Sequence, residues 1–279
     1  MNIQTKASFK KELLAYFRTK KFMIVALVVI GLSLLSPLLI TGLGVLMDSM
    51  SDIYEDFGMD VSEMTGLLSS SSSLGVSSSV SDITGVGLIV LLILINSAAG
   101  GEQKKRAVII PRSAGLRSFP YLFPKFIIYP LSVFILAIFA MFTSWAASSI
   151  VFDVNDVTFI MVLIAGILSG VCMMLYVCFH LALGTATGNA ALSATVCIIA
   201  SVLLPNIFAL TDMEYMFNPF ALDLLAASVL VGDKITGAEV LDILVTIVFA
   251  LAIMIGTYFI SLFANNAKKI DNSGNDIDL

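Results

Sequence analysis

Few residues of this chain could do chemistry, and their spacing narrows what that chemistry would be. His180 is the sole histidine, and it sits in a long apolar run with no acidic residue near it in sequence. A metalloprotease site needs several His or carboxylate ligands. His180 is therefore expected to be packed neutral or hydrogen-bonded to a neighbouring helix. Cys172, Cys178 and Cys197 also fall in apolar runs, without metal-ligand spacing. They read as small core residues rather than a disulfide framework. No G-x-x-x-x-G-K-[ST] run is present, so ATP-driven work would draw on another polypeptide. The chain is expected to hold no catalytic residue, cofactor or metal of its own.

The densest polar chemistry lies in residues 100–125. Gly100-Gly101-Glu102 leads to Lys104-Lys105-Arg106, then to Val108-Ile109-Ile110, Pro111 and Arg112, with Arg117 and Lys125 beyond. A segment that only joined two spans would be far shorter. Alternating charged and apolar elements suit short helices lying against a partner. A solvated basic loop that merely fixes orientation would carry the same residues, and both readings stand at this level.

The elements that position these residues are membrane spans. The chain is 58% hydrophobic and 13% charged, against about 25% charged in a soluble domain. Six apolar runs, at residues 22–47, 83–99, 126–151, 157–183, 190–210 and 240–263, have the length of transmembrane helices. The expected fold is an all-α integral membrane protein, a single transmembrane domain over residues 1–279 with six spans. If the segment before the first span lies inside, 14 of the 15 Lys and Arg are inside and 15 of the 20 acids outside. By the positive-inside bias, both termini, with the tail at residues 264–279, are expected in the cytoplasm of a multi-pass plasma-membrane protein. This sorting leaves nucleic-acid binding without support. The first span is expected to stay uncleaved, being too long for a signal h-region and lacking a small-x-small site before Asp48.

The remaining segments differ in kind. Residues 1–21 carry six basic residues and one acid, Glu12. Phe9, Leu13, Tyr16 and Phe17 recur there at helical spacing, the pattern of a basic amphipathic helix in the headgroup layer. Such a helix can serve as an anchor, as a partner contact, or as both. Residues 48–82 hold seven acids, no Lys or Arg, and the runs Ser69 to Ser73 and Ser77 to Ser79, which read as a flexible linker. Residues 211–239 are too apolar for a free loop and read as re-entrant or interfacial helices. With these boundaries the spans hold almost no ionisable group beyond His180 and, near one end, Asp242. That counts against a proton-driven carrier. Gly166 and Gly170, and the face formed by Ala190, Ala194, Cys197 and Ser201, allow close helix approach, more safely read within one subunit than between two.

Taken together, the chain resembles a permease subunit of an ABC transporter, of the type-2 (exporter-class) family. The resemblance rests on the amphipathic segment from Ser8 to Lys21 leading into the first span, with Ser36-Pro37 partway along it. It rests also on the 100–125 loop with Glu102, the basic cluster, Pro111 and Lys125, on the six spans, and on the apolar, Pro-containing segment before the last span. It implies a connecting N-terminal helix and an ATPase-coupling surface formed by Glu102, Lys104, Lys105, Arg106, Ile109, Ile110, Pro111, Arg112 and Arg117. It also implies short re-entrant helices before the last span. Separate ABC ATPase subunits would bind ATP and Mg, and a second permease copy or a homologous permease would complete a dimer in the lipid bilayer. The cargo would be a hydrophobic or amphipathic compound such as a drug, lipid, peptide or antimicrobial. The second span is shorter than that pattern, and the Ser-rich outer loop argues against subfamilies with a large external domain. The alternatives are a non-transport membrane sensor or assembly factor, and an ion-coupled carrier or channel.

Overall fold

A chain in lipid must satisfy its own backbone N–H and C=O groups, and long apolar runs do so as helices. The computed structural model describes residues 3–50, 71–152, 154, 156–209, 218–232, 237–267, 269–270 and 276–277. Six of its helices are long and apolar enough to cross a membrane, as in a multi-pass membrane protein. In chain order, α1 (Ile3–Arg18) precedes α2 (Lys21–Ser49), α3 (Ser72–Leu94), α4 (Ser118–Val151) and α5 (Phe159–Thr187). Then come α6 (Ala190–Ala209), the short α7 (Leu222–Val231) and α8 (Gly237–Ala267). Lys269–Ile270 and Asp276–Ile277 form a two-residue antiparallel pairing.

The first, fourth, fifth and sixth expected spans coincide with α2, α5, α6 and α8 to within a few residues. Helix α5 is the centre of the bundle: 67% of its most apolar stretch is buried, against 28% for α2, α6 and α8. Its small residues set the packing. A Cβ on Gly166 would lie 3.1 Å from Ile138 Cα, and one on Gly170 would lie 2.7 Å from the Phe134 ring. The Gly166/Gly170 pair thus serves packing of α5 on α4 inside the subunit. Ala190, Ala194 and Cys197 of α6 are buried too, and all three cysteines are free and buried.

Two expectations are corrected. The second span is not residues 83–99 but Ser72–Leu94. The serines read as a linker are therefore largely part of a bundle helix; Ser69 and Ser70 lie outside the described residues. Serine is tolerated here because its hydroxyl can bond back to the preceding turn. Ser77 donates to Leu74 O and Ser78 to Gly75 O. Buried Ser79 pairs with Ser144 at 2.6 Å and also reaches Ser33 O at 3.4 Å. Pro37, inside α2, has no N–H for the carbonyl four residues back. That carbonyl is Ser33's, and the Ser79 hydroxyl of α3, which also reaches Gly75 O at 3.1 Å, is a donor within range of it.

The third span likewise begins earlier than residue 126, at Ser118, which draws Lys125 into helix α4. Of the apolar segment 211–239, residues 222–231 form α7, whose Leu222, Leu225, Ala226, Val229 and Leu230 are buried. Residues 210–217 and 233–236 lie outside the described residues, as do 51–70 of the acidic loop.

Candidate functional site

The residues of the 100–117 segment gather at the end of the bundle that carries α1. Helix α3 ends at Leu94, and a π-helical turn, Ser97–Gly101, contains a kink at Ala99 and Gly100. Gly100 has φ +134°, and a Cβ on the facing Gly184 would fall 1.5 Å from Ala99 O. Backbone packs on backbone there, which fixes where the segment leaves the bundle. Two short helical turns follow, Glu102–Lys104 and Ile109–Ser113. Arg106 adopts a left-handed conformation, φ 56°, which ends the first of them.

The expected site residues divide into two groups. Lys104, Lys105, Arg106 and Arg117 are exposed, while Ile109, Pro111 and Arg112 are half-buried; the side chain of Ile110 lies outside the described residues. Arg112 donates to Asn265 near the end of α8. Glu102 turns inward instead. Its Oε1 accepts from Lys11 Nζ of α1 at 2.8 Å, and its Oε2 accepts from Lys125 Nζ of α4 at 2.9 Å. The Tyr121 hydroxyl donates to the same Oε2 at 3.2 Å.

Lys125, 0% exposed, also meets Glu12 Oε1 of α1 at 3.1 Å. Glu12 is itself buried and accepts from the Tyr129 hydroxyl at 3.3 Å. Lys125 further lies 4.9 Å from the centre of the Tyr121 ring. Two carboxylates and two ammonium groups thus form a neutral set, with tyrosine hydroxyls filling further acceptor positions. Buried charges persist only when paired and hydrogen-bonded in this way. Burial alone would push the Glu102 carboxyl up, but Lys125 first and then Lys11 hold it down at about 2.

Sequence reasoning singled out Glu102 and Lys125, but it placed Glu12 only as the one acid of a basic helix. The inward face of α1 buries Thr5, Glu12 and Tyr16, whereas Leu13, Leu14 and Phe17 stay exposed. The pattern is amphipathic, yet its buried face is chosen by Glu12. Tyr16 packs edge-on to Tyr129, ring centres 4.9 Å apart. Between α1 and the segment lies a cavity of about 570 Å³, with Gln4, Ser8, Glu102, Val108, Pro111 and Leu116 among its lining residues.

The expectation of spans nearly free of ionisable groups does not hold. Asp82 is a half-buried residue near the middle of α3, at the start of a π-helical turn, Ile83–Gly87. Ser36 of α2 donates to its Oδ2 at 2.5 Å. Its placement was missed with the span itself. His180 is buried between α5 and α6, its Nδ1 2.9 Å from Ser193 Oγ. Among the described residues no group of His, Cys, Asp and Glu could hold a metal ion. No protein family matches the chain, and no curated protein matches it at a significant level.

Proposed function

We propose that the chain is the membrane-spanning permease subunit of an ATP-driven ABC exporter, with residues 102–117 as the surface on which a separate ATPase docks. The observation that carries this reading is the rooting of that surface. Glu102 bonds to Lys11 of α1 and Lys125 of α4 at once, so a force on the segment reaches two bundle helices directly. The exposed Lys104, Lys105, Arg106 and Arg117 stand on that base as the partner-facing groups. ATP and Mg belong to the ATPase, and a second permease completes the transporter. Both termini face the cytoplasm, and a hydrophobic or amphipathic compound leaves through the plasma membrane.

Docking rests on apolar anchors, which carry most of the binding energy at an interface. Ile109→Asp keeps every Lys and Arg, so membrane insertion should be unchanged while ATPase association falls. An anchor commonly contributes about 2 kcal/mol or more, roughly thirtyfold in affinity. Co-purification with an ABC ATPase subunit that associates with the wild-type chain measures it, and undiminished association of the variant would sink the proposal.

Asp82 favours a second reading, an ion-coupled carrier, since an intramembrane carboxylate is the usual seat of a coupling ion. Asp82→Asn separates the two. Loss of gradient-driven uptake with no ATPase present supports the carrier; transport that needs an ATPase and survives the substitution supports the permease.

A further inference from the structure

The ends of α4 and α8 flank a second cavity, open to one side and of about 430 Å³, on the same end of the bundle as α1. Its polar lining is two arginines, Ser118, Asn265 and Asn266, with no carboxylate among them. Arg112 and Arg117 reach it, and it lies at the first turn of α4, with Ser118 and Phe119 in its wall. That 34-residue helix begins without a side-chain cap, because the residue at its cap position is Arg117. The amide groups of Ser118 and Phe119 are thus left over, as the first N–H groups of any helix are. Asn265 also lines the cavity and is 2% exposed. Its Oδ1 accepts from Arg112 and, at 3.5 Å, from Gln103. Its Nδ2 is left buried and without a hydrogen-bond partner among the described residues. No acidic side chain lines this cavity.

Two guanidinium groups, a helix N-terminus and an unpartnered buried amide N–H together call for a multivalent oxyanion. A phosphate meets that need, because guanidinium forks and helix amides both match its oxygens. The other walls show what the phosphate is attached to. Leu116, Phe119 and Leu262 are apolar. Phe119 stacks on Phe123 at 5.1 Å and meets the Tyr258 ring edge-on at 6.4 Å, an aromatic group of the kind that sits at a membrane–water boundary. Phe263, next to Leu262 in sequence, is 78% exposed.

We propose that this cavity binds the phosphate of an anionic phospholipid, with an acyl chain leaving past the apolar Leu262 and Phe263. The assignment needs only that the protein sits in a bilayer and does not depend on ATPase docking. Native mass spectrometry of the purified full chain in mixed micelles, with phosphatidylglycerol or phosphatidylcholine added, tests it. Phosphatidylglycerol should be retained at least about tenfold more tightly. Arg117→Gln, which removes an exposed side chain, should cut that retention about tenfold, the usual worth of one charge-assisted hydrogen bond. Arg112→Gln should do the same, and a control with Lys104→Gln and Lys105→Gln should not, since neither lysine lines the cavity. Retention unchanged in both arginine variants, or reduced equally in the lysine control, would overturn the site. Displacement of the lipid by inorganic phosphate at equal concentration would overturn the lipid as the source. A rise in lipid binding on removal of residues 271–279 would make the chain's own acidic terminus the occupant, and would equally overturn it.

Discussion

Lys125→Met is the most informative single perturbation of the buried network. Methionine keeps the length of the lysine stem, so packing in α4 is largely retained and the loss reports the charge. Lys125 bridges Glu12 and Glu102 at 3.1 and 2.9 Å and is 0% exposed. Removing one partner from a buried ion pair strands the other, at a cost of about 3–5 kcal/mol. That is a large fraction of the roughly 5–15 kcal/mol by which a domain is usually stable. The double variant Glu12→Gln/Lys125→Met leaves only the neutral Glu102–Lys11 pair, so it should be less destabilised than the sum of its singles. The expected coupling is about 0.5–3 kcal/mol. Thermal unfolding in mixed micelles, followed by circular dichroism, reads both. A loss below about 1 kcal/mol for Lys125→Met, or strict additivity in the double variant, would refute the account.

The same network fixes a pH signature. The Glu102 carboxyl is held at about 2 against its ordinary 4.5. A folded-state value below the unfolded one gives stability that is fully present above about pH 4.5 and is lost as the pH falls toward 2. The difference corresponds to about 3 kcal/mol, applicable because the side chain is only 22% exposed. Lys125 is the largest of the influences lowering it, so in Lys125→Met the acid-dependent part of the stability should shrink, while its onset near pH 4.5 stays where it is.

Two further outcomes follow from the packing. Asp156 accepts from the Ser71 and Ser72 hydroxyls at 2.7 and 2.6 Å and from the Ser73 amide at 3.0 Å, capping α3 from another loop. Asp156→Ala should cost about 1–2 kcal/mol. Burial would raise that carboxyl, but the serine hydrogen bonds hold it below its ordinary 3.8, so the cap should weaken only below that pH. Gly184→Ala puts a Cβ 1.5 Å from Ala99 O, while a Cβ on Gly256 meets nothing within 4 Å. The yield of folded protein should therefore collapse for Gly184→Ala and hold for Gly256→Ala; equal yields would contradict the close approach.

What was legible in the sequence follows from how each element is stabilised. Helices α2, α5, α6 and α8 are long uninterrupted apolar runs, and hydropathy alone finds them. Helix α3 has the lowest hydropathy of the six because serines fill its first half. Those hydroxyls are satisfied by carbonyls of their own helix and by Ser33 and Ser144 across the bundle, partners that a reading along one segment cannot see. Lys125 reads as a loop residue for a similar reason: its charge marks an end of a span until Glu12 and Glu102 are brought around it. The composition of the 100–117 segment announced its exposed cations, but not that Glu102 turns inward. The one signal was Glu12, an isolated acid four residues before Tyr16 in a basic helix. An acid on the apolar face of such a helix needs a buried cation.

Under the permease reading, these contacts also decide which parts move together. Glu102 ties the segment to α1 and α4 through charges, and the Ala99–Gly100 kink presses on Gly184 of α5 without an intervening side chain. Contacts of these two kinds have little slack, since one is bonded at 2.8–2.9 Å and the other is backbone on backbone. Helices α1, α4 and α5 should therefore follow the segment as a body. The yielding element is then the π-helical turn at Ile83–Gly87 inside α3, because such turns recur at functional sites within helices. Asp82 immediately precedes that turn and is held by Ser36 of α2. A rotation of α3 about that turn would break or remake this one bond, which places the mid-span carboxylate where a movement begun at the segment would be felt.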